Sequence, residues 1–136
     1  MMEYSASEGR IRLERDALAR YLGIELLEMA GGVARTRMAV TPELLNGMDL
    51  THGSAVFALA DYALAAASNS HGQPAVSMQM NIYFLRTTRV GAVLEAAARE
   101  DSQSRRTGLY RVEVREENGK LVAVADGLVS RLGEAR

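Results

Sequence analysis

Cysteine and tryptophan are absent from the 136 residues, and proline occurs only twice. Without cysteine there is no disulfide, no thiolate nucleophile and no cysteine-ligated metal, and two histidines alone make a poor metal cage. No metal is expected. An excess of one charge is also missing: 16 Lys+Arg face 17 Asp+Glu, so the net positive charge that a nucleic-acid partner calls for is not there. Residues Met1 to Arg20 mix charge with hydrophobe and lack the apolar centre of a secretory signal, which reads as a cytoplasmic protein. Only the alanine-rich stretch before Ser70 is long and apolar. Thr51 and His52 open it, Asp61 divides it, and Ser68, Asn69 and Ser70 close it, which argues against a membrane span. What is present is enough apolar sequence, 48%, for one core in one domain.

Ser7 to Tyr21 places Ile11, Leu18 and, just beyond, Leu22 among charged residues, the pattern of a short amphipathic surface helix packing as a lid. Ile24–Met29 and Val33–Val40 flank Gly31-Gly32 and read as a strand hairpin, because adjacent glycines supply the positive φ of a tight turn. Ala34, Thr36, Met38 and Val40 alternate with Arg35, Arg37 and Ala39, as in a half-solvated strand. Pro42 stops the sheet, and a helix is expected from His52 to about Asn69, ended by Gly72 and Pro74. Four long strands follow: Val76–Phe84, Val93–Asp101, Gly108–Glu116 and Lys120–Leu132. Asn118-Gly119 is the strongest hairpin signal among their turns, favouring two positive φ values. Ala96-Ala97-Ala98 is weak strand material by propensity. The sum is an α+β layer architecture, one apolar helix early and a largely antiparallel sheet curled round it.

Asp61 is the one ionisable acid or base between Ser54 and Ser70. In a helix apolar on every side it is expected to be wrapped by the fold. A carboxylate that loses water without gaining a charged partner has its pKa pushed up, which is how acids and bases are prepared for chemistry; a wet edge or an arginine partner is the alternative. Upstream, Asn46-Gly-Met-Asp-Leu-Thr-His52-Gly53 leads polar and small residues into the helix start. The first amides there have no intrahelical acceptor and carry the positive end of the dipole, so N–H groups near Gly53 can receive the oxyanion of acyl transfer, with Asp61 delivering water or attacking directly. Taken singly, Gly53 reads equally as a cap glycine and His52 as a loop histidine. Eight helical residues separate Gly53 from Asp61 by roughly 12 Å along the axis and about 80° around it. One helix cannot aim both at one carbon. If both serve one reaction, Gly53 of one subunit must meet Asp61 of another across a two-fold axis.

Asn46-Gly-x-x-x-x-His52-Gly53, Phe57-Ala-Leu-Ala-Asp61-x-Ala and Ser68-Asn-Ser70 resemble the hotdog-fold acyl-CoA thioesterases of the phenylacetate-degradation (PaaI) type. The resemblance runs from about Leu44 to Leu132 and continues in Tyr83-Phe84-Leu85-Arg86, in Ser104-Arg105-Arg106-Thr107-Gly-x-Tyr110 and in Arg131-Leu132-Gly133. It implies a hotdog fold, a long central helix wrapped by five or six antiparallel strands, as a single domain over residues 1–136 with an N-terminal helical segment at 1–22 and a core at 24–132. It implies a hydrolase that converts aromatic (phenylacetyl or hydroxyphenylacetyl) or medium-chain acyl-CoA to free acid and CoA with no cofactor, CoA being part of the substrate. Asp61 matches the catalytic acid, Gly53 the oxyanion amide and Asn46 a side chain that orients the thioester or water. His52 matches the residue before that glycine, and Ser54 stands where the family usually has a second glycine. Ala65 stands where some relatives carry a hydroxyl. Tyr62 and Phe84, with Met78 and Met80, are candidates for an acyl pocket, and Arg86, Arg105 and Arg106, with Arg89, for the CoA phosphates, although turn arginines are commonly just solvated. A homodimer with shared sites, pairing into a homotetramer, is implied too. Two rivals remain: an acyl-thioester hydratase or dehydratase on the same fold using His52, and a non-catalytic acyl-CoA sensor.

Overall fold

The computed structural model of the chain describes residues 4–133. Six strands, β1 (Glu25–Ala30), β2 (Val33–Ala39), β3 (Ala75–Phe84), β4 (Val93–Gln103), β5 (Thr107–Glu116) and β6 (Leu121–Arg131), form one antiparallel sheet in the order β1-β2-β4-β5-β6-β3. Three α-helices, α1 (Ala6–Glu14), α2 (Ala17–Leu22) and α3 (Gly53–Ser68), and a single 3-10 turn at Pro42–Leu44 precede β3 among the described residues. The sheet curls round α3, as the alternation in the strands requires. Ala34, Thr36 and Met38 of β2, Leu94, Ala96 and Ala98 of β4 and Val112 and Val114 of β5 point inward and are buried, while the charged residues between them face out. The alanines of β4 are strand after all, because tertiary packing overrides propensity: Ala96 and Ala98 belong to the core that encloses α3, and their small size suits a close helix-to-sheet approach. Gly127 of β6 serves the same end, since a Cβ there would come within 2.7 Å of Leu64 on α3.

The turns differ from expectation in two places. The segment expected as one helix over Ser7–Tyr21 is two, broken at Arg15-Asp16, because the Asp16 side chain accepts from the Ala19 amide at 2.9 Å and starts α2 as its cap. Gly23, at φ 75°, ends α2 in the left-handed conformation. At Asn118-Gly119 only the glycine has positive φ (93°), and Gly119 N–H reaches Glu116 C=O at 2.8 Å. That is a three-residue loop with a glycine bulge rather than a turn with two positive φ values.

The expectation that α3 is enclosed on every side also needs correcting. Leu59, Ala60, Ala63, Leu64, Ala66 and Ala67 are fully buried, but Ser54, Phe57, Ala58, Asp61 and Ala65 form a stripe along the helix that is not. The helix lies chiefly on β2, β4 and β5, and the sheet stops at β3 before closing the circle. The open stripe therefore runs between the β3 edge and α2. The far end of α3 is tied down: Asn69 bonds both the Ala75 amide and carbonyl and receives the Tyr4 hydroxyl, while Ser70 Oγ bonds Ala67 C=O and accepts from Gly32 N–H. Ser68-Asn69-Ser70 is thus the joint between α3 and the sheet.

Candidate active site

His52 caps α3. Its Nδ1 accepts from the Ser54 amide at 3.0 Å, and its carbonyl takes the amides of Ala55 and Val56 at 3.0 and 3.2 Å. Of the four amides that open the helix, three are consumed. Gly53 N–H alone makes no hydrogen bond to a described residue, and it borders a cleft of about 410 Å³ between Phe57, Ile82 and Phe84. Gly53 is not held there by backbone strain or crowding: its φ is not positive, and a Cβ would meet the Phe84 ring at 3.5 Å, an ordinary contact. What the missing side chain leaves is room for another molecule at the amide. His52, with Nδ1 engaged as an acceptor, carries its proton on Nε2 when neutral and so offers no base to that cleft.

Asn46 organises the loop before the helix. Its Oδ1 accepts from the amides of Met48 (2.8 Å) and Leu50 (3.1 Å), and its backbone N–H bonds Leu50 C=O at 2.7 Å, which turns the chain through Asp49 at φ 62°. Two bonds to one oxygen fix the amide's orientation, leaving the Nδ2 protons without an acceptor among the described residues. The loop is clamped from below by Thr51, whose hydroxyl lies 2.6 Å from that of Thr88.

Asp61 sits two turns beyond Gly53 on the open stripe, half-buried and in no ion pair among the described residues. Desolvation raises its pKa above the usual carboxylate range, the charge of Asp16 adds to the rise, and the Ser77 hydroxyl of β3 opposes it. A cavity of about 60 Å³ separates Asp61 from Asp16, Leu18 and Ile24. Ser77 and Asp16 were not singled out in the sequence. Neither has a motif, and only the return of β3 and the break between α1 and α2 bring them to the acid. Among the described residues, no three His, Asp or Glu side chains cluster as a metal would need.

The remaining sequence candidates separate. Ser54 is exposed beside Gly53, and Phe84 covers the glycine. Tyr62 borders the small cavity in front of Asp61 and is also a strut: its ring is buried and its hydroxyl donates to Leu13 C=O at 2.5 Å, tying the end of α1 to α3. Met80 packs partly against the core and Met78 is exposed on β3. Arg86 follows β3 at the Gly53 end of the sheet, whereas Arg105 and Arg106 lie in the β4–β5 turn beside Arg131, at the other end. One chain cannot close these arginines on one ligand, as β5 alone spans roughly 30 Å. Arg86, Arg105 and Arg106 are exposed and in no ion pair among the described residues, whereas Arg131 is buried against Glu100 at 3.6 Å.

An unpaired amide at a glycine-opened helix start, a fixed amide side chain before it and a desolvated carboxylate after it sit on a fold that known proteins share. The Thioesterase superfamily profile matches residues 48–123. The acyl-coenzyme A thioesterase PaaI of Escherichia coli K12 is 41% identical over 120 residues, covering 88% of this chain and 86% of its own. The structure of the E. coli PaaI protein from the phenylacetic acid degradation operon superposes with a TM-score of 0.90 at 39% identity, covering 94% of each chain. A Streptococcus mutans UA159 protein bound to acetyl CoA superposes at 0.78 with 25% identity, covering 81% of this chain and 89% of its own. The fold is the hotdog fold, and by sequence and structure alike the chain belongs to the thioesterase superfamily.

Proposed function

We propose that the protein hydrolyses acyl-CoA thioesters as a homodimer whose two active sites are shared between subunits. The observation that carries the reading is the division of labour along one helix face: a single free amide at Gly53, and a carboxylate at Asp61 whose pKa burial has raised. The thioester carbonyl accepts from Gly53 N–H of one subunit while Asp61 of the other takes a proton from water. The water oxygen bonds to the carbonyl carbon, the oxyanion is held at the helix N-terminus, and collapse breaks the C–S bond. The sulfur leaves with the proton that Asp61 returns. If the carboxylate attacks carbon directly, an anhydride precedes the same products, and single turnover in labelled water distinguishes the routes by label in Asp61. Asn46 Nδ2 donates to the thioester or the water. The route draws on no metal or cofactor.

The β3 edge supports the dimer. It is a ten-residue strand with one side unpaired, and it exposes Val76, Met78, Tyr83 and Phe84. Natural sheets seldom leave so long and apolar an edge bare. Pairing two β3 strands about a two-fold axis sets two α3 helices side by side and antiparallel, as the shared site requires. A tetramer formed from two such dimers, and residence in the cytoplasm, complete the proposal. No helix among the described residues is long and apolar enough to cross a membrane.

The acyl group is proposed to be aromatic, phenylacetyl or a hydroxylated relative, or of medium length. The relative named for the phenylacetic acid degradation operon and the apolar groove beside Gly53 support this. The hydratase reading is disfavoured by His52 Nδ1 being committed to the Ser54 amide. The test is release of free CoA from phenylacetyl-, hydroxyphenylacetyl-, benzoyl-, hexanoyl-, acetyl- and crotonyl-CoA beside folded Asp61→Ala protein. Hydrolysis lost in the variant supports the reading. Equal rates in the variant, or binding without turnover by the wild type, overturn it, the latter in favour of a sensor.

A further inference from the structure

The cavity on the α2 side of the stripe has a wall that the reaction above does not use. A space of about 280 Å³ opens beside Gly53, where His52 and Ser54 border both it and the larger cleft, and runs between Leu22 of α2, Leu44 and the small residues Ala55 and Ala58 of α3. The 60 Å³ cavity in front of Asp61 continues the same line. Two residues border both spaces, Leu18 from α2 and Ala58 from α3. Ala58 contributes almost no bulk, so Leu18 is the partition between them.

Leu18 is 58% exposed, so its side chain projects from the six-residue α2 into the space between the two cavities instead of packing into the core. The helix that carries it is held firmly. Asp16 caps its start, Gly23 turns the chain at its end, Ile24 N–H bonds Ala19 C=O at 2.8 Å, and Tyr62 fixes the residue that precedes it through Leu13. A partition on a fixed wall sets a length. A mostly apolar space, open on one side with Glu43 in its wall and just below the usual size of a small-molecule pocket, fits an aromatic ring or a short alkyl chain and leaves the nucleotide part of the ligand outside.

We propose that this space receives the acyl group of the thioester and that Leu18 is the specificity-determining residue that limits the acyl group's bulk at the end nearer Asp61. The inference rests on the thioesterase reading and adds to it the place of the acyl chain and the side chain that measures it. Opening the partition admits longer or bulkier acyl groups, and thickening it favours short ones. One extra or missing methylene in an apolar pocket changes discrimination by about 10- to 200-fold.

The experiment compares kcat/KM for acetyl-, hexanoyl-, phenylacetyl- and decanoyl-CoA in the full-length wild type, Leu18→Ala, Leu18→Phe and Tyr21→Ala. Tyr21 lies on the same helix, is 86% exposed and borders neither space, so it controls for disturbance of α2. Leu18→Ala is expected to raise the decanoyl-to-acetyl ratio by about tenfold, Leu18→Phe to lower it by a similar factor, and Tyr21→Ala to leave it unchanged. Hydrolysis that persists with the same ratio in both Leu18 variants, or that shifts equally in Tyr21→Ala, overturns the role of Leu18 and leaves the thioesterase reading intact. A wild type that hydrolyses none of the panel overturns both. If Leu18→Phe fails to fold by thermal melt, Leu18→Ala alone decides, as truncation of an exposed side chain leaves the core untouched.

Discussion

Asp16 and Asp61 come from different helices and border the same cavity of about 60 Å³. Asp16 caps α2 with one oxygen, and its charge adds to the desolvation that raises the pKa of Asp61. Replacing Asp16 with Asn keeps a competent cap and removes the charge. The acid limb of the kcat/KM profile reports the base of the free enzyme, so in Asp16→Asn that limb is expected to move to lower pH with the plateau retained. An unchanged limb together with an unchanged melting temperature would show that the two carboxylates do not communicate.

Asp61 is also expected to cost stability. Its folded pKa lies above the unfolded value, so the folded state binds the proton more tightly and loses stability as pH rises through that interval. Asp61→Asn removes the buried charge. The variant is expected to melt higher than wild type at pH 7, to lose that advantage at pH values low enough to protonate Asp61, and to be inactive throughout. Equal melting at pH 7 would place Asp61 in water rather than against the protein.

How much of this was legible in the chain follows from the range of each signal. The hairpin at Gly31-Gly32, the alternation of β2 and the start of α3 at His52 are local patterns, and they fold as read. Gly53, Asp61 and Asn46 were also legible, as a glycine at a helix start, an acid in an apolar run and a polar residue in the loop before them. Three features were not. The break at Arg15-Asp16 depends on Asp16 choosing to cap rather than to continue a helix, and both choices suit an aspartate. The open stripe of α3 depends on where the sheet ends, which no helical periodicity records. The bond from Tyr62 to Leu13 was not legible either, because a tyrosine that borders a cavity and one that braces two helices occupy the same kind of position in the sequence.

Tyr62 and Tyr110 make high pH a second probe of the fold. Burial is the chief cause in both of a pKa pushed up to about 12, and each hydroxyl donates, to Leu13 C=O and to Glu100 respectively. With folded values above the unfolded value near 10, their contribution is complete below that pH and is lost as pH rises toward the folded value. Denaturant melts from pH 8 to pH 11.5 are expected to show stability falling above about pH 10. Tyr62→Phe is expected to flatten part of that fall while lowering stability at pH 8, because the Leu13 carbonyl keeps the Asp16 amide but loses its hydroxyl donor. A slope identical to wild type would mean that the hydroxyl of Tyr62 reaches water.

The shared site can be tested by mixing chains that fail for different reasons. Asn46→Asp keeps an oxygen for the Met48 and Leu50 amides, so the loop should hold, but it removes the Nδ2 donor and adds a negative charge to the loop that leads into Gly53. Alone it is expected to lose at least about a hundredfold in kcat, comparable to removing an oxyanion-site donor, with melting close to wild type. Asp61→Ala alone is expected to be inactive. When the two are unfolded together and refolded, half of randomly formed dimers are mixed, and each mixed dimer pairs an intact Asn46 and Gly53 from one chain with an intact Asp61 from the other. Activity is therefore expected to return to about a quarter of the wild-type value. If the amide and the carboxylate of one chain served the same site, mixing would restore nothing, because every chain carries one defect.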